Sequence, residues 1–197
     1  MTDAELEHAF RQPHYLELNQ KRFNVLETCQ VDFSGKTVFE PGAGIGDNTQ
    51  WLLDHGATVH ASDARECNVD YMRRRFAGNA RVTVQKLDVE DPRDALPEFD
   101  ICVCLGLMYH VASPQKFLKW ASEGCSIMVL ESMVAGGEMS TWGVAEDATD
   151  PSQSYSGLGS RPTRDFYLGL LSGLYDRVSW MFYGFTSGDR GFWVGRK

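Results

Sequence analysis

The stretch VFEPGAGIGDNT, residues 38–49, joins an apolar, strand-like segment to a helix-like one. Three glycines, Gly42, Gly44 and Gly46, occupy every second position shortly after Glu40. A glycine-rich turn between a strand and a helix lets the backbone approach a ligand closely, and such turns commonly hold phosphates. A carboxylate beside the turn would repel a diphosphate. The ligand of this turn therefore has to be inferred from the rest of the sequence.

Strand-like and helix-like segments alternate after residue 36. KTVFE, TVHASD, RVTVQKLDV, FDICVCLGL and CSIMVLES are predicted to be strands, and helical patterns separate them. This alternation predicts an α/β fold with a doubly wound, mostly parallel sheet. RVSWMFYGF and GFWVGRK flank TSGDR and predict an antiparallel C-terminal hairpin. Residues 1–33 carry two helical patterns and predict an N-terminal helical cap, and the length of 197 residues fits a single domain.

Acidic residues stand at the ends of the first three predicted strands: Glu40, Asp63 and Asp88. Right-handed crossovers bring the loops that follow parallel strands to one edge of the sheet. Ligands of doubly wound sheets bind at this edge, near the point where the strand order reverses. The sequence therefore predicts a binding site that these three carboxylates line.

Composition and charge narrow the classes of partner. The formal net charge is −8, from 19 basic and 27 acidic residues, which disfavours a nucleic acid. No apolar run approaches the ~18 residues of a membrane span, and MTDAELEHAF lacks an apolar signal core, so a cytoplasmic protein is expected. The five cysteines form no C-x-x-C pair and the five histidines lack ligand spacing, so no metal site is predicted. The oligomeric state is not indicated.

The acids around the turn decide between two classes of ligand. A dinucleotide requires a third glycine where this chain has Asp47. Glu40 and Asp47 would place two carboxylates near a diphosphate, at a cost of several kcal/mol for an effective dielectric constant of about 20. S-adenosylmethionine carries a sulfonium and an ammonium and no phosphate. The acids therefore favour S-adenosylmethionine over NAD.

Four segments, FEPGAGIG, VHASDA, LDVED and FDICVCLGLMYHV, resemble in order the motifs of the class I S-adenosylmethionine-dependent methyltransferases. The likeness covers about residues 36–132. It implies a Rossmann-like methyltransferase fold, S-adenosylmethionine as cofactor, and in-line methyl transfer to an acceptor. Asp63 would bind the ribose hydroxyls, and Asp88 and Val89 the adenine. The cofactor-binding residues that the resemblance implies are Glu40, Gly42, Gly44, Gly46, Asp63, Ala64, Asp88, Val89 and Leu105.

The segment LGLMYHVASPQKFL resembles the L-Y-H-x-x-x-P pattern of one branch of these enzymes. This branch includes small-molecule methyltransferases and relatives of wobble-uridine tRNA-modifying enzymes. The resemblance implies that Tyr109 and His110 lie opposite the sulfonium as catalytic residues. His110 could act as a general base, because an unperturbed histidine titrates near pH ~6.5. Alternatively, His110 caps a helix or hydrogen-bonds a neighbouring loop.

Residues 136–165 are rich in Gly, Ser, Thr and Pro and are predicted to be a long loop. Such a loop is either a lid over the substrate or an exposed segment with incidental side chains. Arginines in a lid could bind an anionic acceptor, while Glu131 could border the acceptor or make a structural contact. Tyr15 and Arg22 lie near one helix face, where either could bind the methionine carboxylate. The predicted substrate-contacting residues are Tyr15, Glu131, Trp142, Tyr155, Arg161 and Arg164.

The function predicted from these features is methyl transfer from S-adenosylmethionine to a small-molecule acceptor. Two alternatives stay open: a tRNA acceptor, and a non-catalytic S-adenosylmethionine-binding partner of another subunit. The negative net charge disfavours the tRNA, and Tyr109 and His110 after the fourth strand favour an enzyme.

Overall fold

The computed structural model describes residues 1–92, 98–185 and 188–197. Its helices are α1 (Asp3–Phe10), α2 (Pro13–Thr28), α3 (Asp47–Asp54), α4 (Glu66–Arg75), α5 (Pro114–Gly124) and α6 (Arg164–Ser172). Its strands are β1 (Thr37–Pro41), β2 (Thr58–Asp63), β3 (Val82–Lys86), β4 (Phe99–Leu105), β5 (Cys125–Met133), β6 (Thr141–Ala145), β7 (Leu158–Arg161), β8 (Arg177–Phe185) and β9 (Gly188–Arg196). A 3₁₀ turn, Met108–His110, follows β4.

The main sheet has seven strands in the order β3-β2-β1-β4-β5-β9-β8. Its first five strands pair in parallel, while β9 runs antiparallel to both β5 and β8. The predicted doubly wound sheet and its antiparallel C-terminal hairpin are confirmed. The predicted turn of that hairpin, residues 186–190, begins outside the described residues.

Alternating side chains of the central strands bury opposite faces of the sheet. Val38, Ile101 and Val103 belong to a core that includes residues of α2, α3 and α4. Phe39 and Cys102 belong to a second core, which includes residues of α5 and α6. Each central strand is therefore covered on both sides, which explains its nearly continuous apolar sequence.

The strand order reverses between β1 and β4, because the chain moves outward from β1 through β2 to β3 and then returns. The crossovers on the two sides of this point diverge and leave a crevice at the carboxyl edge of the sheet. Residues 42–46 after β1, here called the glycine turn, and the 3₁₀ turn after β4 both open onto this crevice. Fold topology alone thus brings together the two motifs that the sequence predicts to be functional.

The N-terminal helices cover the same edge. Thr2 and Glu5 form a reciprocal capping box that fixes the start of α1. Leu6 of α1 is buried against Ile45 of the glycine turn and Tyr71 of α4. The predicted helical cap, residues 1–33, therefore closes one side of the crevice.

The structure differs from the sequence-based expectations in one long segment. Residues 136–165, here called the lid segment, were expected to form a loop but contain the antiparallel pair β6 and β7 and the start of α6. The irregular pairing between Trp142 and Val144, around Gly143, disguises the strand pattern. Among the described residues, none of the helices has the length and apolarity needed to cross a bilayer.

Candidate functional site

A cavity occupies the crevice at the carboxyl edge of the sheet. Its walls come from the helical cap, the glycine turn, the ends of β2, β3 and β4, and the lid segment. The predicted site residues among its lining are Tyr15, Gly42, Gly44, Asp63, Ala64, Asp88, Val89, Leu105, Tyr109, His110 and Tyr155. Most of the residues that the sequence assigns to cofactor and catalysis therefore surround one space.

The glycine turn forms one wall by means of a left-handed backbone. The φ angles are 65° at Gly42 and 58° at Gly44, a region that side-chain-bearing residues rarely adopt. A Cβ on Gly42 would lie 2.8 Å from Leu107, and one on Gly44 would lie 2.7 Å from Phe10. Gly46 does not line the cavity but is the N-cap of α3. The turn therefore brings bare backbone to the ligand.

Glu40 does not line the cavity but lies behind the turn, 2% exposed. It accepts a hydrogen bond of 2.6 Å from the hydroxyl of Thr49 in α3. Burial raises the pKa of Glu40 to about 8, so that the side chain is largely protonated at neutral pH. Its charge therefore does not reach the ligand, and the electrostatic argument from Glu40 against a diphosphate does not hold in this fold.

Asp47, the second acid of that argument, lines the cavity but is ion-paired. Its Oδ1 accepts from Arg75 at 2.6 Å and from Arg11 at 3.3 Å. The two guanidinium groups offset the negative charge of Asp47. Asp47 thus holds the cap and α4 in place, and other residues must determine which ligand binds.

Asp63, at the end of β2, points into the cavity with both carboxylate oxygens engaged. One oxygen accepts from the backbone N–H of Gly44 at 3.0 Å, and the other from the N–H of Arg65 at 2.9 Å and the amide of Asn68 at 3.1 Å. Burial raises the pKa of Asp63 to about 6 against these hydrogen bonds. A ligand that donates hydroxyl groups to Asp63 would favour its ionised form.

Asp88 and Val89 lie two and three residues beyond the end of β3, in the turn that borders the cavity. The N–H of Glu90 donates to Asp88 at 2.9 Å and holds its carboxylate. Val89 is 7% exposed and offers an apolar surface beside it. A carboxylate next to an apolar surface suits a flat, amine-bearing ring. Neighbouring strands of the sheet follow the order β3, β2, β1 and β4. The cavity is therefore lined in turn by Asp88 and Val89, by Asp63, by the glycine turn and by His110.

A buried ion cluster lies below the opposite end of the cavity. Glu131 of β5 is inaccessible to solvent and binds Arg22 of α2 at 2.8 Å and Arg190 of β9 at 2.7 Å. Burial opposes ionisation of Glu131, but the two guanidinium charges outweigh it and hold the pKa of the carboxyl below its usual range. Arg190 also donates to the hydroxyl of Tyr109 at 3.3 Å. The cluster therefore carries a net positive charge where Arg22 and Tyr109 line the cavity.

His110 pairs with a carboxylate that the sequence analysis did not identify. Its Nδ1 contacts Oε2 of Glu146, which directly follows β6 in the lid segment. The side chain of Glu146 is 4% exposed and also binds Arg161 at 3.2 Å. Burial raises the pKa of Glu146, but the bonds and charges of its partners, His110 first among them, outweigh burial and lower it. His110 thus belongs to a carboxylate–imidazole pair.

The lid segment is attached to the residues that surround Asp63. Arg65 donates to the carbonyls of Ala148 and Ser154, each at 2.9 Å. Asn68 bonds Asp63 and, at 3.3 Å, the carbonyl of Pro151. The lid segment therefore lines the cavity beside Asp63.

The remaining predicted substrate residues divide into two groups. Tyr155 lines the cavity and is 49% exposed, whereas Trp142 packs edge-on against Phe166 with ring centroids 5.2 Å apart. Arg161 is engaged by Glu146 and by the carbonyl of Tyr109, to which it donates at 2.8 Å. Trp142, Arg161, Arg164 and Glu131 do not line the cavity.

Three residues that the sequence analysis left unassigned contribute to the site: Asn19, Arg65 and Glu146. Arg65 follows the strand-ending Asp63 by two residues, and that spacing was a usable signal. Asn19 lies one helical turn before Arg22 and binds its guanidinium at 3.0 Å. Glu146 had no local signal, because its partner lies 36 residues away.

Comparison with known proteins identifies relatives of this chain. Residues 38–125 match the profile of a family described as "Methyltransferase domain". A ubiquinone biosynthesis O-methyltransferase from Coxiella burnetii is 30% identical over 103 residues, which are 52% of this chain and 44% of that protein. A probable ribosomal RNA small subunit methyltransferase A from Methanospirillum hungatei is 32% identical over 110 residues, 55% of this chain and 42% of that protein. The chain thus spans less than half the length of these relatives.

Solved structures resemble the whole chain. The N-terminal domain of EvdMO1 with SAH bound superposes with a TM-score of 0.74 at 22% identity, covering 94% of this chain and 84% of that one. The magnesium protoporphyrin IX methyltransferase of Synechocystis PCC 6803 with bound SAH gives 0.72 at 12% identity, covering 98% and 94%. Structural similarity at such low sequence identity establishes the fold alone. The predicted Rossmann-like methyltransferase fold and the family resemblance are confirmed.

The ion cluster predicts a large effect of Gly106→Ala. Gly106 has a φ of 70°, and a Cβ there would overlap the guanidinium of Arg22. Gly35→Ala is the matched control, because its φ is 69° and no atom lies within 4 Å. The control should lose about 1 to 2 kcal/mol of stability from backbone strain. Gly106→Ala should lose a further ~3 kcal/mol, because it displaces a partner of a buried carboxylate. Equal losses in urea unfolding would contradict this assignment of Arg22.

The raised pKa of Glu40 predicts a pH-dependent effect of Glu40→Gln. The folded protein retains a proton that the unfolded chain releases, so Glu40 favours folding at low pH and this contribution is lost as the pH rises towards about 8. The variant is neutral throughout and should gain stability relative to the native protein by up to ~1.4 kcal/mol per pH unit. Unfolding measured between about pH 5 and pH 8 tests this. The exposed Glu27→Gln is the control, and a pH-independent difference for Glu40→Gln would contradict the burial argument.

Proposed function

We propose that this chain, which contains a methyltransferase domain of the class I S-adenosylmethionine-dependent family, methylates a small-molecule acceptor. The observation that carries the proposal is the single cavity that joins Asp63, Asp88 and the glycine turn to Tyr109 and His110. S-adenosylmethionine is the methyl donor of this family and supplies an electrophilic methyl group on a sulfonium. The acceptor attacks that methyl in line with the bond to sulfur.

The cavity residues at the ends of β3, β2 and β1 suit successive parts of this donor. The carboxylate of Asp88 and the apolar side chain of Val89 suit the exocyclic amine and the ring of adenine. Asp63 accepts hydrogen bonds from the ribose hydroxyls, a role that its carboxylate and its position on the cavity wall support. The glycine turn leaves room for the remaining part of the donor because Gly42 and Gly44 present no side chain. No phosphate has to be accommodated.

Arg22 is the group proposed to receive the methionine carboxylate. Its guanidinium lines the cavity from α2, and the ion cluster beneath it has an excess of one positive charge. Tyr15 of the same helix also lines the cavity and donates to Ser152 of the lid segment at 3.1 Å. Asn19 fixes Arg22 in this orientation. A carboxylate bound here would compensate a charge that Glu131 only partly neutralises.

His110 is proposed as the general base. It lies in the 3₁₀ turn directly after β4, on the cavity wall, and its Nδ1 is held by Glu146. With Nδ1 engaged, Nε2 is the nitrogen that can accept a proton from the acceptor. The ring of Tyr109 lies against that of His110 at a tilt of 42°, with centroids 4.0 Å apart, and restricts the imidazole. Methyl transfer itself needs mainly alignment and exclusion of water, which the lid segment supports.

The acceptor class is decided by a product assay for S-adenosylhomocysteine. Purified protein with S-adenosylmethionine is offered 3,4-dihydroxybenzoate, D-fucose, ethanolamine, or the low-molecular-weight fraction of a cell extract, and separately bulk tRNA and ribosomal RNA. Product formation with a small molecule supports the proposal. Product formed only with RNA would support the alternative that the ribosomal RNA relative suggests, against the net charge of −8. Binding without product from any acceptor would indicate a non-catalytic subunit.

Asp63→Asn should weaken the binding of S-adenosylhomocysteine by about 10- to 100-fold, the usual worth of a charge-assisted hydrogen bond. In the native protein the affinity should fall as the pH drops through about 6, because protonation removes a hydroxyl acceptor from Asp63. The variant should show no such dependence. Calorimetric titration measures both quantities. Unchanged affinity in the variant would show that Asp63 does not contact the ribose.

His110→Ala should lower the rate of methyl transfer by ~10²- to 10⁴-fold, the usual worth of a positioned base. The affinity for S-adenosylhomocysteine should change little, because His110 is proposed to contact the acceptor and not the nucleoside. Single-turnover rates and calorimetry separate the two quantities. Parallel loss of cofactor affinity, thermal stability and activity would instead indicate that His110 only orders its loop.

A further inference from the structure

We propose that Glu146 is a positioning residue that orients His110 to take a proton from a hydroxyl acceptor, so that this domain is an O-methyltransferase. The inference rests on the proposed function and extends it to an additional residue and to the chemical class of the acceptor. It is carried by the geometry of the lid segment, which delivers a buried carboxylate to Nδ1 of the imidazole.

Several hydrogen bonds fix the side chain of Glu146. Its carboxylate therefore stays in place if the imidazole ring of His110 rotates. The N–H of Ser154 donates to Oε2 at 2.9 Å, and Arg161 donates to Oε1 at 3.2 Å. A Cβ on Gly159 would overlap Oε1 and the carbonyl of Tyr109, so β7 approaches this carboxylate as backbone only. The side chain is thus fixed before any acceptor arrives.

The fixed carboxylate selects one tautomer of the neutral imidazole. An ionised carboxylate can only accept, so Nδ1 carries the proton and Nε2 keeps its lone pair. Nε2 makes no hydrogen bond to any residue in the described part of the chain, and His110 lines the cavity. Its lone pair is therefore available to an acceptor.

Charged groups on each neighbouring element act on this pair. Glu146 of the lid stabilises the imidazolium, while Arg161 of β7 lies beyond it and moderates its charge. Arg190 of β9 acts through Tyr109, whose ring lies 5.0 Å from the guanidinium carbon. Glu90 accepts from the N–H of Ala112 at 2.8 Å, just after the 3₁₀ turn. The carboxylate of Glu146 is the group in direct contact with the ring, so its removal should free the imidazole to adopt either tautomer.

A base of this kind is required by a hydroxyl group more than by other acceptors. A neutral amine attacks through its lone pair without prior deprotonation, and a carboxylate is already ionised. A hydroxyl keeps its proton at neutral pH and becomes a strong nucleophile only as that proton leaves. The hydroxyl oxygen forms the bond to the methyl carbon as its proton passes to Nε2. The carbon–sulfur bond breaks, its electron pair stays on sulfur, and His110 later releases the proton to water.

The test replaces the carboxylate by its amide, Glu146→Gln, and follows the ligand-free protein by ¹⁵N NMR of the histidine ring. His110 is assigned from the signal that His110→Ala lacks. In the native protein Nε2 should be the unprotonated nitrogen of the neutral ring. In Glu146→Gln the neutral ring should lose this tautomer preference, because the amide of Gln can donate to Nδ1 as well as accept from it. Asp147→Asn removes the same charge one residue away, from an exposed side chain that binds Thr149, and should leave the tautomer of His110 unchanged.

Kinetics with 3,4-dihydroxybenzoate or D-fucose complete the test. Glu146→Gln should lower kcat by about 10- to 100-fold, while the KM for S-adenosylmethionine stays within about twofold. Glu146→Asp, which keeps the charge, should recover part of kcat. An unchanged tautomer in Glu146→Gln, or a joint loss of thermal stability and cofactor binding, would overturn the role of Glu146. Methylation of ethanolamine on its nitrogen, with neither hydroxyl probe turned over, would overturn the acceptor class and leave methyl transfer itself standing.

Discussion

The carboxylate of Glu131 has no access to water, and two guanidinium groups from opposite ends of the chain neutralise it. Arg22 reaches it from the N-terminal helical cap and Arg190 from the last strand. A buried charge that loses one partner costs ~3 to 5 kcal/mol, so this cluster holds the cap, the central sheet and the C-terminal hairpin together. The same cluster supports the hydroxyl of Tyr109. The cavity therefore depends on an ion cluster that lies beneath it.

The lid segment connects the two functions proposed for the cavity. Near Asp63 it is bound by Arg65 and Asn68, and near the 3₁₀ turn it supplies Glu146 to His110. Ordering of the lid over a bound nucleoside and alignment of the imidazole therefore involve the same segment. In the proposed function, such an arrangement would exclude water from the donor while it aligns the base.

The sequence predicted the carboxyl-edge site because its evidence is local. Glycines at alternating positions require a turn with positive φ, and Asp63 ends a strand whose apolar pattern is clear. The role of Glu40 was harder to infer, because burial raises its pKa and places it behind the turn. The charge of Asp47 was likewise overestimated, since Arg75 and Arg11 pair with it. Sequence shows that a residue is acidic but not whether its charge faces the ligand.

The sequence by itself determined the alternation of strands and helices between residues 36 and 132, the glycine turn and the sheet edge at which the candidate site lies, because hydrophobic period and backbone freedom are properties of short segments. Only the tertiary structure decided which side chains meet across long separations. Glu146 reaches His110 over 36 residues, Arg190 reaches Glu131 over 59, and Arg22 reaches Glu131 over 109. These contacts leave no periodic signal, because they depend on how the sheet, the cap and the lid pack. The binding edge was therefore readable from the chain, whereas the arrangement of its charges followed from the fold.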